Sequence, residues 1–142
     1  ITPLRRWTGW HWLTGFRRML GLFAFFYVVL HFAVYAVLDQ GLDIAVIVED
    51  VLKRPYITLG MAGLLLLVPL AVTSTKGMMR RLGRNWQKLH RLVYVIAVLA
   101  VWHYYWQVKL DTLEPTLYAL ILAGLLGVRV YFAHSSRRRK YQ

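Results

Sequence analysis

The sequence predicts an all-α, polytopic membrane helical bundle, with four transmembrane helices in a single domain covering residues 1–142. Three observations lead to that class. Of the 142 residues, 58% are apolar and 15% aromatic, more than a soluble chain of this length can bury. The apolar residues gather into four blocks of about 20, the length that crosses a bilayer core. The charges between those blocks sort by side.

The first block runs over residues 19–38, uncharged between Arg17/Arg18 and Asp39. The second covers 56–75, opening after Pro55 and closing before Lys76. The third covers 89–108, between a basic loop and Lys109. The fourth covers 113–132, with Pro115 in its first turn, where a missing backbone N–H costs no helical bond. Between the first two blocks, Ile44, Ile47, Val48, Val51 and Leu52 recur at helical spacing, which predicts a short interfacial helix. Pro69 predicts a bend in the second helix. Gly60, Gly63, Gly124 and Gly127 predict close approach of a neighbouring helix or a macrocycle.

All but Lys53, Arg54 and Lys109 of the 18 basic residues fall on one side: Arg5 to Arg18, Lys76 to Arg91, and Arg129 to Lys140. All six acids, Asp39, Asp43, Glu49, Asp50, Asp111 and Glu114, lie in or beside the opposite loops. Cytoplasmic loops carry the Lys/Arg excess, so the basic side is predicted to be inside and both termini of this chain cytoplasmic. Trp7, Trp10, Trp12 and Trp86 on the inner side, with Tyr56, Tyr104, Tyr105 and Trp106 on the outer, suit headgroup depth. A net charge of +12 would suggest nucleic acid in a soluble protein; here it marks topology and attraction to anionic lipid. The expected partner surface is therefore the lipid bilayer, with no nucleic acid. With no cysteine, disulfides, thiolate metal sites and Cys-ligated iron–sulfur clusters are excluded.

Two of the five histidines stand inside apolar helices, where an ionisable group is costly and marks function. His31 lies 13 residues beyond Arg18 and His103 lies 12 beyond Arg91, depths of about 19.5 and 18 Å. Two helices running the same way thus carry imidazoles at one level. That is what two axial ligands of a haem iron require; the bland reading is two packed histidines bonded to neighbouring groups. Tyr27 and Tyr35, four residues on either side of His31, share its face. His90 stands 13 residues before His103, about 19.5 Å along a helix but rotated by roughly 220°. A bend, or a differently angled second cofactor, is needed for both to serve one function. Its inner position admits a ligand with another partner, a contact to a propionate or flavin, or an ordinary interfacial histidine. His11 and His134 lie in polar flanks and call for no cofactor role.

Several strings in order resemble the MsrQ (YedZ) family, the haem-containing membrane subunits of bacterial methionine sulfoxide reductase systems, within the ferric reductase-like transmembrane superfamily. They are Arg17-Arg18-Met19-Leu20-Gly21-Leu22 leading to Leu30-His31, Arg54-Pro55-Tyr56-Ile57-Thr58-Leu59-Gly60, Thr73-Ser74-Thr75, Trp86-Gln87-Lys88-Leu89-His90 and His103-Tyr104-Tyr105-Trp106. The resemblance implies haem b, one or two per chain, held by His31, His103 and His90. It also implies FMN as a further cofactor, which no string in this sequence marks. Electrons would come from a cytoplasmic flavin reductase or a quinol and go to a periplasmic molybdopterin-containing MsrP-like catalytic subunit. The setting implied is the bacterial inner membrane. The family has six spans, of which this chain resembles the last four. Ile1-Thr2-Pro3-Leu4-Arg5-Arg6, without an initiator Met, reads like the end of an earlier span, so an N-terminally truncated fragment is expected.

The expected function is a transmembrane electron conduit without its own substrate-reducing centre. Electrons would enter near the basic loop from Lys76 to Arg91, pass His90, reach the His31/His103 level and leave outward. Two rivals remain: a ferric or quinone reductase of the same superfamily acting directly at the outer face, and a cofactor-free scaffold whose histidines only pack.

Overall fold

The computed structural model describes residues 8–108 and 112–138. Arg5, Arg6, Trp7, Lys109, Asp111, Arg139 and Lys140, part of the charge and aromatic pattern, lie outside the described residues, as do the side chains of Arg137 and Arg138. After a 3-10 turn at His11–Thr14, helix α1 spans Phe16–Val34 and runs on through a π-helical turn at Tyr35–Asp39. The rest of the chain is α2 (Ile44–Lys53), α3 (Pro55–Val72), α4 (Lys76–Leu82), α5 (Arg84–Leu89), α6 (Leu92–Gln107) and α7 (Leu113–Arg138). No strand occurs among the described residues.

Three segments are long and apolar enough to cross a membrane: His11–Asp39 with 29 residues, Pro55–Val72 with 18 and Leu113–Ser135 with 23. Their large apolar side chains, Phe23, Phe26, Leu65 and Leu120 among them, point outward, as a lipid solvent allows and water does not. The buried apolar core is thin: Ala36, Leu70 and Ile96. Helix α3 is central, packing against α1, α2 and α6, while α7 packs on α6.

The third expected span is shorter than the sequence suggests. Helix α6 begins at Leu92 and has 16 residues, about 24 Å against a hydrocarbon core of about 30 Å. The cause lies in the backbone around His90. Arg91 N–H reaches Lys88 O (3.2 Å), Val93 reaches His90 O (3.4 Å) and Tyr94 reaches Arg91 O (3.1 Å). Those three-residue steps tighten the chain and interrupt the α-helix.

The second span also ends early, at Val72. The Thr73 and Ser74 hydroxyls donate to the carbonyls of Pro69 and Leu70, both at 2.6 Å, competing with the helical ladder. Thr75 instead caps α4, accepting from Met78 N–H at 3.3 Å. The helix runs without interruption through Pro69.

The basic loop folds into α4 and α5, joined at Gly83, whose φ of +49° suits a residue without Cβ. The short helix expected between the first two spans forms as α2. Its N-cap is Asp43, accepting from Ala45 and Val46 N–H at 2.9 and 3.2 Å. Pro55 opens α3, and the residue before it, Arg54, is extended as a pre-proline residue prefers.

Candidate functional site

His31 occupies the last turn of α1 and His103 lies within α6. Helix α3, which packs against both, brings them together. Their ring centroids are 6.2 Å apart with the planes 73° to one another. Two imidazoles sharing one metal ion, each nitrogen about 2 Å from it, place their ring centroids about 6 Å apart. At the observed spacing both imidazoles could hold one iron between them. Among the described residues no three His, Asp or Glu side chains converge on a common point, so the pair is the candidate.

His103 is held in one orientation. Its Nδ1 lies 2.6 Å from the Tyr56 carbonyl at the start of α3. A carbonyl can only accept, so Nδ1 carries the hydrogen and Nε2 keeps the lone pair a metal needs. The ring rests against Gly60, one turn further along: a Cβ there would stand 2.9 Å from His103 Cε1 and 3.0 Å from Nδ1. His103 is half-buried, whereas His31 faces outward from the described chain.

The glycine expectation is thus met at one position and in a different sense. Gly60 admits the His103 imidazole rather than a helix backbone. At Gly63, Gly124 and Gly127 nothing among the described residues lies within 4 Å of an added Cβ, so no neighbouring helix approaches closely there. The tyrosines beside His31 serve neither ring. Tyr27 is exposed, and the Tyr35 hydroxyl donates to Asp50 at 3.1 Å.

Asp50, read from the sequence only as a loop acid, is buried. Gln40 Nε2 donates to the same oxygen at 3.0 Å, and Arg54 Nε stands 3.1 Å from the other. The network ties the π-helical end of α1 to α2. One signal was available: Asp50 and Arg54 are four apart on a predicted helix, and Ile47, Val48 and Val51 flank the carboxylate. The Thr58 hydroxyl, donating to the Val51 carbonyl, ties α2 to α3 in turn.

His90 is not brought to this pair's level; it closes the C-terminus of α5, at the break before α6. The break falls between His90 and His103, so the two do not share one continuous α-helix. Nδ1 lies 3.1 Å from Trp86 O, so it is the protonated nitrogen. Nε2 is buried and, among the described residues, has no hydrogen-bond partner. A buried lone pair without a donor is unusual, and it suits a metal or a polar group of a cofactor. The ring stacks on Trp86 at 3.9 Å and 25°, and the Trp86 indole N–H donates to Thr73 O at 2.9 Å. Two strings that the sequence shows only as separate motifs, Thr73-Ser74-Thr75 and Trp86 to His90, are therefore one clamp. Of the remaining histidines, His134 bonds back to Val130 O in its own helix at 3.1 Å, and His11 lies in the exposed turn before α1.

The chain is 52% identical over 142 residues to the protein-methionine-sulfoxide reductase heme-binding subunit MsrQ of Ralstonia nicotianae, covering 98% of this chain and 65% of that protein. It is 57% identical over 140 residues to the protein of the same name from Xanthomonas oryzae pv. oryzae, covering 99% and 64%. The protein of that name from Herminiimonas arsenicoxydans is 51% identical over 142 residues, covering 98% and 65%. The chain thus spans a little under two thirds of the length of these relatives. No solved structure matches it. Residues 1–101 match the family described as ferric reductase like transmembrane component; with that match and this likeness to MsrQ proteins, the chain belongs to the ferric reductase-like transmembrane family.

Proposed function

We propose that this chain is the haem b-binding, membrane-embedded electron-transfer part of a methionine sulfoxide reductase system, with His31 and His103 as axial ligands. One observation carries the reading: two imidazoles from different helices lie 6.2 Å apart, centre to centre. Bound haem supplies one-electron redox chemistry. The chain's own residues supply its seat. The Tyr56 carbonyl fixes the His103 tautomer, and α3 packs against both helices that carry the pair. His90, with its unpartnered Nε2, is the third position offered to the cofactor, as ligand to a second haem or as a contact.

The wider setting is part of the same proposal. Four segments cross the bacterial inner membrane, α6 crossing together with the tight turn at His90–Arg91, and both ends of the chain face the cytoplasm. The basic helices α4 and α5 face the donor, a flavin reductase or a quinol, with FMN as an added cofactor by resemblance. The acceptor is a periplasmic molybdopterin-containing MsrP-like subunit that reduces methionine sulfoxide. The relatives' printed name, heme-binding subunit of a protein-methionine-sulfoxide reductase, supports both the cofactor and the partner. The family match also favours a second reading, direct reduction of ferric chelates or quinones at the outer face. Chelate reduction by the protein alone, without a molybdenum partner, distinguishes it.

The test is a reduced-minus-oxidised absorption spectrum of the haem-supplemented protein. A sharp b-type difference band is expected, abolished or converted to a high-spin form in both His31→Ala and His103→Ala. A colourless protein after haem supplementation overturns the proposal. So does a band indifferent to both substitutions.

A further inference from the structure

We infer that Gly60 and the Tyr56 carbonyl form a seat on α3 that positions His103 for iron, and that this seat sets the redox properties of the site. The inference rests on the His31/His103 reading above. In an α-helix the carbonyl of residue 56 faces the N–H of residue 60, and the side chain at 60 flanks the approach to that oxygen. With a glycine at 60 the approach is open. The carbonyl has a second lone pair, and His103 Nδ1 reaches it from α6 at 2.6 Å.

Gly60 is singular among the described glycines. A Cβ there would meet three atoms of the His103 ring, at 2.9, 3.0 and 3.4 Å, whereas at Gly63, in the next turn of the same helix, it would meet nothing within 4 Å. The 2.9 Å contact is to a ring atom held at both ends, by its own helix and by the Tyr56 bond. It cannot be relieved by rotating a flexible tip. An alanine at 60 therefore displaces the imidazole and breaks the hydrogen bond.

The chemical consequence follows from second-sphere control. A carbonyl accepting from Nδ1–H makes the imidazole a stronger electron donor through Nε2 and fixes its orientation. Such a ligand stabilises the ferric state, so losing the bond raises the midpoint potential. Gly60 and Tyr56 are positioning residues: neither touches iron, and both act through His103.

The experiment compares wild type, Gly60→Ala and Gly63→Ala, each loaded with haem in detergent, by electron paramagnetic resonance and redox titration. Wild type is expected to show a low-spin bis-imidazole signal, and Gly63→Ala to reproduce its signal and potential. Gly60→Ala is expected to show partial conversion to high spin, carbon monoxide binding that wild type lacks, and a raised midpoint potential. If Gly60→Ala matches wild type, or if both glycine variants change alike, the seat is overturned while the haem reading stands. If wild type itself lacks the low-spin signal, the haem reading fails. Should Gly60→Ala not accumulate, infrared redox-difference spectra of wild type with 15N-labelled histidine decide. A strongly hydrogen-bonded Nδ1–H on an axial imidazole supports the seat, and only weakly bonded imidazole bands overturn it.

Discussion

Replacing Asp50 probes the network that fastens the C-terminal end of the His31 helix. Its carboxylate accepts from Tyr35 at 3.1 Å and Gln40 at 3.0 Å and pairs with Arg54 Nε at 3.1 Å. The three partners do not count equally. The Arg54 side chain is 53% exposed against 12% for Asp50, so solvent screens the pair and it counts for little. The Tyr56 hydroxyl and then the Asp50 carboxylate raise the Arg54 pKa above its ordinary value, so Arg54 stays charged throughout the working pH range. The two hydrogen bonds to a charged, buried acceptor are worth roughly 1.5–3 kcal/mol each before their donors find water. Asp50→Ala should therefore cost about 3 kcal/mol, and Asp50→Asn, which keeps the shape and one acceptor, about 1 kcal/mol. Tyr35→Phe combined with Asp50→Ala should show a coupling of about 1 kcal/mol, since both remove the same bond. Unfolding titrations in mixed micelles, followed by tryptophan fluorescence, measure all four species. Asp50→Ala within about 0.5 kcal/mol of wild type would refute the network's weight, because that is the range of surface substitutions away from such features.

Trp86→Phe keeps a ring beside His90 but removes the N–H that donates to Thr73 O at 2.9 Å. It should cost about 1 kcal/mol, with faster hydrogen exchange confined to residues 84–91 and the 73–75 turn. Asp43→Ala removes the cap that accepts from Ala45 and Val46 N–H. It should destabilise α2 by about 1 kcal/mol, seen as local exchange in α2 with the haem spectrum unchanged.

Much of this arrangement can be read from the residues. Charge sorting and block length point to the bundle, and Asp43 before an apolar stripe marks α2. The equal depth of His31 and His103 is the strongest case: counting 1.5 Å per residue from the flanking arginines suffices to bring them level. What the residues do not disclose is which backbone groups side chains choose. Nothing in Tyr56 as a letter marks its carbonyl as the acceptor for a histidine 47 positions away. Gly60 is visible as a gap in a helix face, but a gap names no occupant. The α6 boundary was hidden for a related reason. Residues 89–108 hold a single charge, Arg91, and the break before Leu92 depends on His90 and Arg91 adopting three-residue steps.

Helix α3, itself without a histidine, bonds to the segments that carry His90 and His103. Near its start α3 offers Tyr56 O and Gly60 to His103; just past its end it offers Thr73 O to Trp86, whose ring and backbone hold His90. Tyr56 and Thr73 are 17 residues apart, about 25 Å along a helix. The distance between His103 and His90 is thus ruled by α3 rather than by α5 and α6, whose α-helical backbone is interrupted between them. An interrupted segment cannot hold two side chains in register through its own hydrogen bonds, because the break decouples the rotation of its halves. An unbroken neighbour bonded to both halves can. The proline inside α3, at residue 69, lies four residues before Thr73 and its carbonyl accepts the Thr73 hydroxyl at 2.6 Å. The end of α3 is therefore fastened by side-chain bonding where the ladder runs out, at the point from which Trp86 and His90 are held.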